Sequence, residues 1–343
     1  MDKAFYMLAL IIFASFAQSE VKLKNTGNGE DHIFLHDGLE RTYKLYRPKS
    51  LPKDSPMLLL LHGRGSSNRW TFVTGFNVLA EQHGFLVVYP QSHKKAARLD
   101  GALAQQPGMP KHLIPMLEKI AKCQKGEFFT YSAMNFTCQA NGVGVTHMVM
   151  WNQTNEDSLF DSQSDVAFLK SLTEHLQKKF HIDPNKTFLA GFSNGGGMTY
   201  TLICQTGNLF KAGAIVAGLA EAEILNDCAR HPKPIIHIHG ADDSIAPISP
   251  ERELTQGSTQ VGAKDSVEFF ANLNDLVTVE TNQVTESALQ RIYKPQSGGA
   301  EVQYYRIENH GHVWPGRAIE VKKGMDNSGL NATELIWDFF STL

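Results

Sequence analysis

The feature that most constrains the fold is a set of short apolar runs that do not alternate with polar residues. The clearest is Met57–Leu61, in which every side chain is apolar. A strand with one face in water alternates apolar and polar residues, so a continuous apolar strand is expected to be buried on both faces. The strands predicted on this basis are residues 42–46, 57–61, 85–89, 187–190, 214–217, 235–238 and 302–307.

Helical patterns lie between these runs. Residues Asp165–Phe180 place Leu169, Leu172 and Leu176 on one stripe, which predicts a helix with one buried face. A second helix is predicted over residues 332–340. Strands that alternate with helices are typical of the α/β class, so we expect a mostly parallel central sheet with helices on both faces.

Length and charge limit the domain organisation and the partners. The chain has 343 residues, 42% hydrophobic and 20% charged, as in an ordinary globular protein with a sizeable core. Its formal net charge of -3 gives no electrostatic reason to expect nucleic acid or an anionic membrane as a partner. We expect one domain over residues 18–343 and a small-molecule or oligomeric substrate.

The first 17 residues have the pattern of an export signal. Lys3 precedes an apolar run over residues 4–13, and Ser15-Phe16-Ala17 has the small-x-small form of a cleavage site. The run is shorter than the roughly 20 residues that a bilayer-spanning helix needs. The sequence therefore predicts a signal peptide at 1–17, a secreted or periplasmic protein and no stable membrane span, with a buried N-terminal helix as the alternative.

Four cysteines fit an oxidising compartment, where an even number usually means disulfides. Three pairings are possible. We predict nearest-neighbour pairing, Cys123 with Cys138 and Cys204 with Cys228, because it closes short loops.

One long stretch, residues 92–150, lies outside the strand and helix rhythm. It is rich in Met, Phe and Tyr, and a structureless loop of that length is uncommon in a compact domain. It is interpreted as an insertion that forms a lid or a pocket wall, or as a helical insertion that covers the sheet edge. Residues 249 to about 263 form a second, shorter irregular stretch.

The motif Gly191-Phe192-Ser193-Asn194-Gly195 matches G-x-S-x-G, in which a serine is held on a sharp turn between a strand and a helix. Residues 187–190 provide the strand, and residues 198–203 read as the helix. A helix that starts after Ser193 directs free N–H groups at the site, which favours developing negative charge. We therefore predict that Ser193 is a nucleophile.

A serine nucleophile needs a base, and the base needs a carboxylate that orients it. The strand at 235–238 leads into Asp242 and Asp243, and the strand at 302–307 leads into His310 and His312. The order serine, acid, histidine is that of α/β-hydrolases. Spacing alone does not choose within either pair.

The oxyanion of a tetrahedral intermediate needs two N–H donors. Asn194, directly after the serine, supplies one by position. The glycine-rich segment after the early strand, His62-Gly63-Arg64-Gly65, is the predicted source of the other, from Arg64 or its neighbour Gly65.

Together the motifs resemble one family of α/β-hydrolases, the poly(3-hydroxybutyrate) depolymerases, feruloyl esterases and related acetylxylan esterases. The matching segments are His62-Gly63-x-Gly65, Gly84-Phe85-Leu86-Val87-Val88-Tyr89-Pro90, Asp165-Val166-x-Phe168-Leu169, the serine turn, His239-Gly240-x-x-Asp243 and Gly311-His312-x-Trp314-Pro315-Gly316. The last is the most specific.

The resemblance implies Asp243 rather than Asp242 as the acid and His312 rather than His310 as the base. It also implies a secreted carboxylic ester hydrolase that needs no metal or organic cofactor, acting on hydroxycinnamoyl, acetyl or hydroxyalkanoate esters. Trp314 is a candidate for the acyl pocket, with packing of its own loop as the alternative.

Some positions depart from the family pattern: Arg64 stands where a cysteine or small residue is usual, and Asn194 where alanine is common. Two other interpretations remain open. A metal-dependent hydrolase would use the His and Asp residues of the two strand ends as an N/O ligand set. A binding protein on the same fold would have lost its activity.

Overall fold

The computed structural model describes residues 20–25, 29–69, 74–107, 109, 114–131, 134–153, 165–228, 231–248, 260–296, 300–316 and 326–343. The predicted signal peptide at 1–17 lies outside these residues, and so do residues 249–259 of the second irregular stretch. Within the described ranges, no helix has both the length and the apolar character needed to cross a bilayer.

More of the described residues lie in strands than in helices. They are β1 (Glu20–Asn25), β2 (Glu30–His36), β3 (Leu39–Tyr46), β4 (Met57–Leu61), β5 (Leu86–Pro90), β6 (Lys94–Asp100), β7 (Phe128–Tyr131), β8 (Met134–Ala140), β9 (Val143–Val149), β10 (Thr187–Phe192), β11 (Ala212–Val216), β12 (Ala220–Glu221), β13 (Ile235–Gly240), β14 (Gln260–Val261), β15 (Thr278–Gln283), β16 (Ala288–Lys294) and β17 (Val302–Ile307).

The α-helices in the same part of the chain cover the sheet. They are α1 (Phe76–His83), α2 (Ile114–Ala121), α3 (Asp165–Phe180), α4 (Asn194–Gln205), α5 (Ala222–Asn226), α6 (Ala263–Leu273) and α7 (Ala332–Ser341). Short 3-10 helices are present at Gly101–Gln105 and Pro184–Lys186.

The main sheet has eleven strands in the order β1-β2-β3-β5-β4-β10-β11-β13-β17-β16-β15. The central strands from β5 to β17 are parallel to one another. All seven predicted strands are present in this sheet. The prediction of a mostly parallel sheet holds for its centre, whereas both ends carry antiparallel strands.

Helices pack on both faces because successive side chains of a buried strand point to opposite faces. On β4, Leu59 and Leu61 belong to the apolar core shared with α3, α4 and α6. Leu58 and Leu60 belong to the core shared with α1 and α7. The predicted helix at Asp165–Phe180 is observed with these bounds, and its buried stripe includes Leu169, Leu172 and Leu176.

Residues 94–149 form a second, antiparallel sheet in the order β6-β9-β8-β7. With α2 it encloses a separate apolar cluster that includes Ile120, Phe129 and Phe136. The insertion is therefore not mainly helical. A sequence signal for this exists in β8, where Phe136 and Cys138 are buried between exposed polar neighbours, the alternation of a half-buried strand.

Both predicted disulfides are formed. Cys123–Cys138 lies within the cluster of the second sheet, and Cys204–Cys228 joins the last turn of α4 to the residues that follow α5. The second bond therefore ties the helix after the serine to a neighbouring part of the main domain.

Candidate active site

Ser193 lies in the turn between β10 and α4. Its backbone has φ 55° and ψ -121°, a conformation that non-glycine residues rarely adopt. A Cβ on Gly191 would lie 2.1 Å from the carbonyl oxygen of Gly195, and a Cβ on Gly195 would lie 2.3 Å from that of Leu61. The two glycines of the motif are thus required because the turn packs against itself and against β4.

Ser193, His312 and Asp243 form one hydrogen-bonded chain. Nε2 of His312 lies 2.9 Å from Oγ of Ser193, and Nδ1 of His312 lies 2.7 Å from Oδ2 of Asp243. The three residues follow β10, β17 and β13, and parallel strands bring their carboxyl ends to one edge of the sheet. This arrangement allows the imidazole to take a proton from the serine while it donates Nδ1–H to the carboxylate.

The Asp243 carboxylate is buried but well supplied with donors. Its Oδ1 accepts two main-chain N–H groups of the following turn, at 2.9 and 2.8 Å. Burial raises the pKa of Asp243, but hydrogen bonds from His239 and His312 outweigh burial and hold the pKa well below its usual range. The carboxylate is therefore ionised at neutral pH.

The second candidate at each strand end lies elsewhere. The Asp242 side chain is exposed to solvent. His310 is buried, with Nε2 3.3 Å from the carbonyl oxygen of Val313 and Nδ1 3.5 Å from Oδ1 of Asp326. Burial lowers the pKa of His310. The geometry thus brings Asp243 and His312, rather than these two residues, to the serine.

A chain of three buried rings supports the Asp243 turn. The Tyr200 hydroxyl donates to Nδ1 of His237 (2.5 Å), Nε2–H of His237 donates to Nδ1 of His239 (2.8 Å), and Nε2–H of His239 donates to the carbonyl of Ala246 (2.7 Å). Burial lowers the pKa of His237 well below its normal value and raises that of Tyr200 well above it. These rings connect α4 to the turn that carries the acid.

The oxyanion donors named from the sequence lie on both sides of Ser193. Asn194 is the first residue of α4, so its N–H is one of those without an intrahelical acceptor. The N–H of Gly65 donates to the carbonyl of Val149 (2.7 Å). Of the two residues predicted as the second oxyanion donor, Arg64 is therefore the better candidate. Both Asn194 and Arg64 line the cavity that contains Ser193.

The asparagine at position 194 has a structural role that the sequence did not reveal. Its Oδ1 accepts the N–H of Trp151 (2.7 Å), and its Nδ2 donates to the carbonyl of Trp151 (3.2 Å). The indole Nε1 of Trp151 donates to the carbonyl of His62 (2.9 Å). An alanine cannot make the first two contacts, so Asn194 fixes the segment that begins at Trp151 and, through it, the loop after β4.

A buried ion cluster holds the same region. The carboxylate of Asp165 accepts from Nη2 of Arg41 and Nζ of Lys95, both at 2.7 Å, and from the N–H of Asn152 at 2.8 Å. The Arg41 guanidinium also lies 3.7 Å from the ring centroid of Phe168. Asp165, noted in the sequence without a role, thus joins α3 to β3, to β6 and to the segment after Trp151.

The catalytic groups open into a cavity of about 540 Å³. Phe192, Leu219 and Ile245 give it apolar walls, whereas Arg64 and Gln153 are polar groups in its lining. Pockets of this kind, apolar with a few polar groups, suit a small organic substrate.

Trp314 does not line this cavity. It is 1% exposed, and its Nε1 donates to Oγ1 of Thr333 (3.1 Å). Its ring meets Phe76 edge to face at 6.2 Å between centroids. Trp314 therefore packs between the sheet, α1 and α7 and does not have the pocket role suggested for it. Its buried indole N–H has a hydrogen-bond partner, as buried tryptophans usually do.

The second sheet forms the wall of a neighbouring cavity of about 440 Å³. Lys94, Met134 and His147 line it, and Arg64 lies in the lining of both cavities. The pocket-wall interpretation of residues 92–150 therefore applies to this adjoining cavity.

The His and Asp residues of the two strand ends, which the metal-dependent interpretation would use as ligands, do not form a metal site. In the parts of the chain that the structure describes, no group of three or more His, Cys, Asp and Glu side chains is placed to hold a metal ion. Both ring nitrogens of His237 and of His239 lie within hydrogen-bonding distance of partners inside the protein.

Comparisons with known proteins concern the fold and the sequence around the serine turn. A sequence profile of the prolyl oligopeptidase family matches residues 142–228, which include Ser193 and its turn. The structure of an acetyl xylan esterase from Aspergillus awamori has the same fold, with a TM-score of 0.54 and 13% identity, covering 95% of this chain and 100% of that one.

Two relatives in sequence extend the comparison. A probable feruloyl esterase C of Aspergillus niger is 26% identical over 197 residues, which cover 55% of this chain and 60% of the relative. A bifunctional acetylxylan esterase/xylanase of Neocallimastix patriciarum is 23% identical over 283 residues, covering 80% of this chain and 31% of the relative. The chain has an α/β-hydrolase fold and is similar in sequence to feruloyl and acetylxylan esterases. This α/β-hydrolase thus spans less than two thirds of the length of either relative.

Proposed function

We propose that the protein is a secreted serine carboxylic ester hydrolase. The observation that carries the proposal is the chain of short contacts from Ser193 to His312 to Asp243, 2.9 and 2.7 Å, at the wall of a cavity. The feruloyl and acetylxylan esterases among its relatives support ester chemistry.

The geometry supports an acyl-enzyme route. His312 takes the proton of Ser193 as Oγ attacks the ester carbonyl, and Asp243 stabilises the imidazolium. The N–H groups of Asn194 and Arg64 stabilise the oxyanion. His312 then gives its proton to the leaving alcohol, and a water activated by the same histidine releases the acid. Each step uses only groups of this chain and water.

The substrates that we propose are esters with hydroxycinnamoyl, acetyl or hydroxyalkanoate groups, including those attached to polysaccharide fragments. The names of the relatives support the first two classes. Secretion or a periplasmic location is supported by the two disulfides.

The test is hydrolysis of methyl ferulate, p-nitrophenyl acetate, acetylated xylan fragments and hydroxybutyrate oligomers by wild type and Ser193→Ala, with a chelator present. We expect chelator-resistant turnover that falls by about 10⁴-fold or more in the variant. Turnover that survives in Ser193→Ala but is lost with chelator would favour a metal-dependent hydrolase. A wild type that is inert on the whole panel would favour a binding protein.

A further inference from the structure

Gln153 is a buried amide in the wall of the candidate active site. Its side chain is 7% exposed, and it lines the cavity that contains Ser193. Within the described part of the chain, its Oε1 is buried and has no hydrogen-bond partner. A buried acceptor without a donor costs free energy that an apolar side chain of the same shape would not cost. Such a group is therefore expected where a ligand supplies the donor.

The amide lies close to the nucleophile. A Cβ on Gly197 would lie 2.8 Å from both Nε2 and Oε1 of Gln153, so the amide lies over this glycine in α4. The N–H of Gly197 donates to the carbonyl of Ser193 (3.0 Å), which places the two residues about one helical turn, roughly 5.4 Å, apart along the axis. The amide is thus about one turn from the serine backbone.

The position of Gln153 is fixed by its neighbours. Trp151 precedes Gln153 by two residues, and the Asn194 side chain bonds both its main-chain N–H and its carbonyl. The intervening Asn152 donates its N–H to the buried carboxylate of Asp165 (2.8 Å). The main chain just before Gln153 is thus held at two successive residues, so less main-chain freedom remains to be lost when a ligand group binds.

We propose that Gln153 is a specificity-determining residue that binds a hydroxyl group next to the scissile ester. This inference rests on the proposed function, because it assigns the group to an ester attacked by Ser193. Because the amide lies about one helical turn from the serine backbone, we place this hydroxyl near the reacting carbonyl. The hydroxyl belongs either to a short acyl chain or to the alcohol, beside the ester oxygen.

Two pairs of substrates distinguish these sources. Ethyl 3-hydroxybutyrate against ethyl butyrate tests a hydroxyl in the acyl chain, and trans-2-hydroxycyclohexyl acetate against cyclohexyl acetate tests one in the alcohol. The measurement is the ratio of kcat/KM within each pair, for wild type, Gln153→Met and Gln260→Met. Gln260 is the matched control because it lines the same cavity, but its Nε2 already donates to Oε1 of Glu221 (3.1 Å).

We expect wild type to favour the hydroxylated member of one pair by about tenfold, which is the size of one hydrogen bond. In Gln153→Met the ratio falls toward one, and in Gln260→Met it keeps the wild-type value. The melting temperature of Gln153→Met should equal or exceed that of wild type, because an unsatisfied acceptor has been removed.

The inference is overturned if wild type shows no preference in either pair or if Gln153→Met leaves the preference intact. An equal loss in Gln260→Met, or a melting temperature several degrees lower in Gln153→Met, would also overturn it, because a structural amide behaves in that way. Hydrolysis of p-nitrophenyl acetate separates the two proposals. If wild type hydrolyses neither this ester nor any other ester of the panel above, the proposed function fails, and if it hydrolyses esters but shows no such preference, only the assignment of Gln153 fails.

Discussion

The buried histidine His62 should make the free energy of unfolding decrease as the pH is lowered. This residue is fully buried, with Nδ1 donating to the carbonyl of Gly63 (2.9 Å) and Nε2 accepting from the N–H of Ser92 (3.2 Å) and from Nε2 of Gln91 (3.1 Å). Burial lowers the pKa of His62 from 6.5 to about 4. As pH falls below 6.5, the unfolded chain takes up the proton before the folded chain does. The contribution of neutral His62 to the free energy of unfolding is therefore fully present above pH 6.5 and is lost as the pH falls toward 4.

The magnitude follows from that difference in pKa. Each pKa unit corresponds to about 1.4 kcal/mol, so between pH 7 and 4 this histidine alone should lower the free energy of unfolding by about 3 kcal/mol.

Urea unfolding of the disulfide-intact protein at a series of pH values measures this effect. In His62→Gln the proton uptake is absent, so its unfolding free energy should change by about 3 kcal/mol less than that of wild type between pH 7 and 4. His147→Gln, at an exposed position in the second sheet, is the matched control for the substitution. Parallel curves for wild type and His62→Gln would refute the reasoning.

Two further predictions concern the acid and its support. Asp243→Asn should lower kcat by about 10⁴-fold, because the amide no longer fixes the histidine tautomer, whereas Asp242→Asn should change kcat by less than about tenfold. Steady-state kinetics on p-nitrophenyl acetate measures both effects. The reverse ranking would contradict the assignment of Asp243 as the acid. Tyr200→Phe leaves Nδ1 of the buried His237 without a donor and should lower the free energy of unfolding by about 1–3 kcal/mol in urea titration. An unchanged stability would show that the three-ring chain does not hold the Asp243 turn.

The sequence predicted the centre of the fold and the arrangement of the candidate triad because both depend on local patterns. A short, wholly apolar run such as Met57–Leu61 is typical of a strand buried on both faces, and parallel strands bring the residues after their ends to one edge. The choice of Asp243 over Asp242 came from family resemblance alone. In the structure the difference is physical, since one carboxylate is enclosed by its own turn and the other faces solvent.

The supporting contacts escaped prediction because they join distant parts of the chain. Asn194 and Trp151 are 43 residues apart, and Arg41 and Asp165 are 124 residues apart. No periodicity marks such pairs. The antiparallel strand β15 was also missed, because all its side chains are exposed and it therefore has no apolar pattern. Trp314 was ambiguous because a tryptophan beside a catalytic histidine suits packing as well as binding.

The second sheet has a consequence for how this scaffold can diversify. It has its own apolar cluster and its own disulfide, so substitutions on its outward strands do not disturb the packing around the triad. It meets the main domain at a few points, among them the Lys95–Asp165 pair and the hydrogen bond from Gly65 to Val149. Evolution, or an engineer, can therefore vary β7 and β8 while β6 and β9 keep the two contacts that hold the region of the candidate triad.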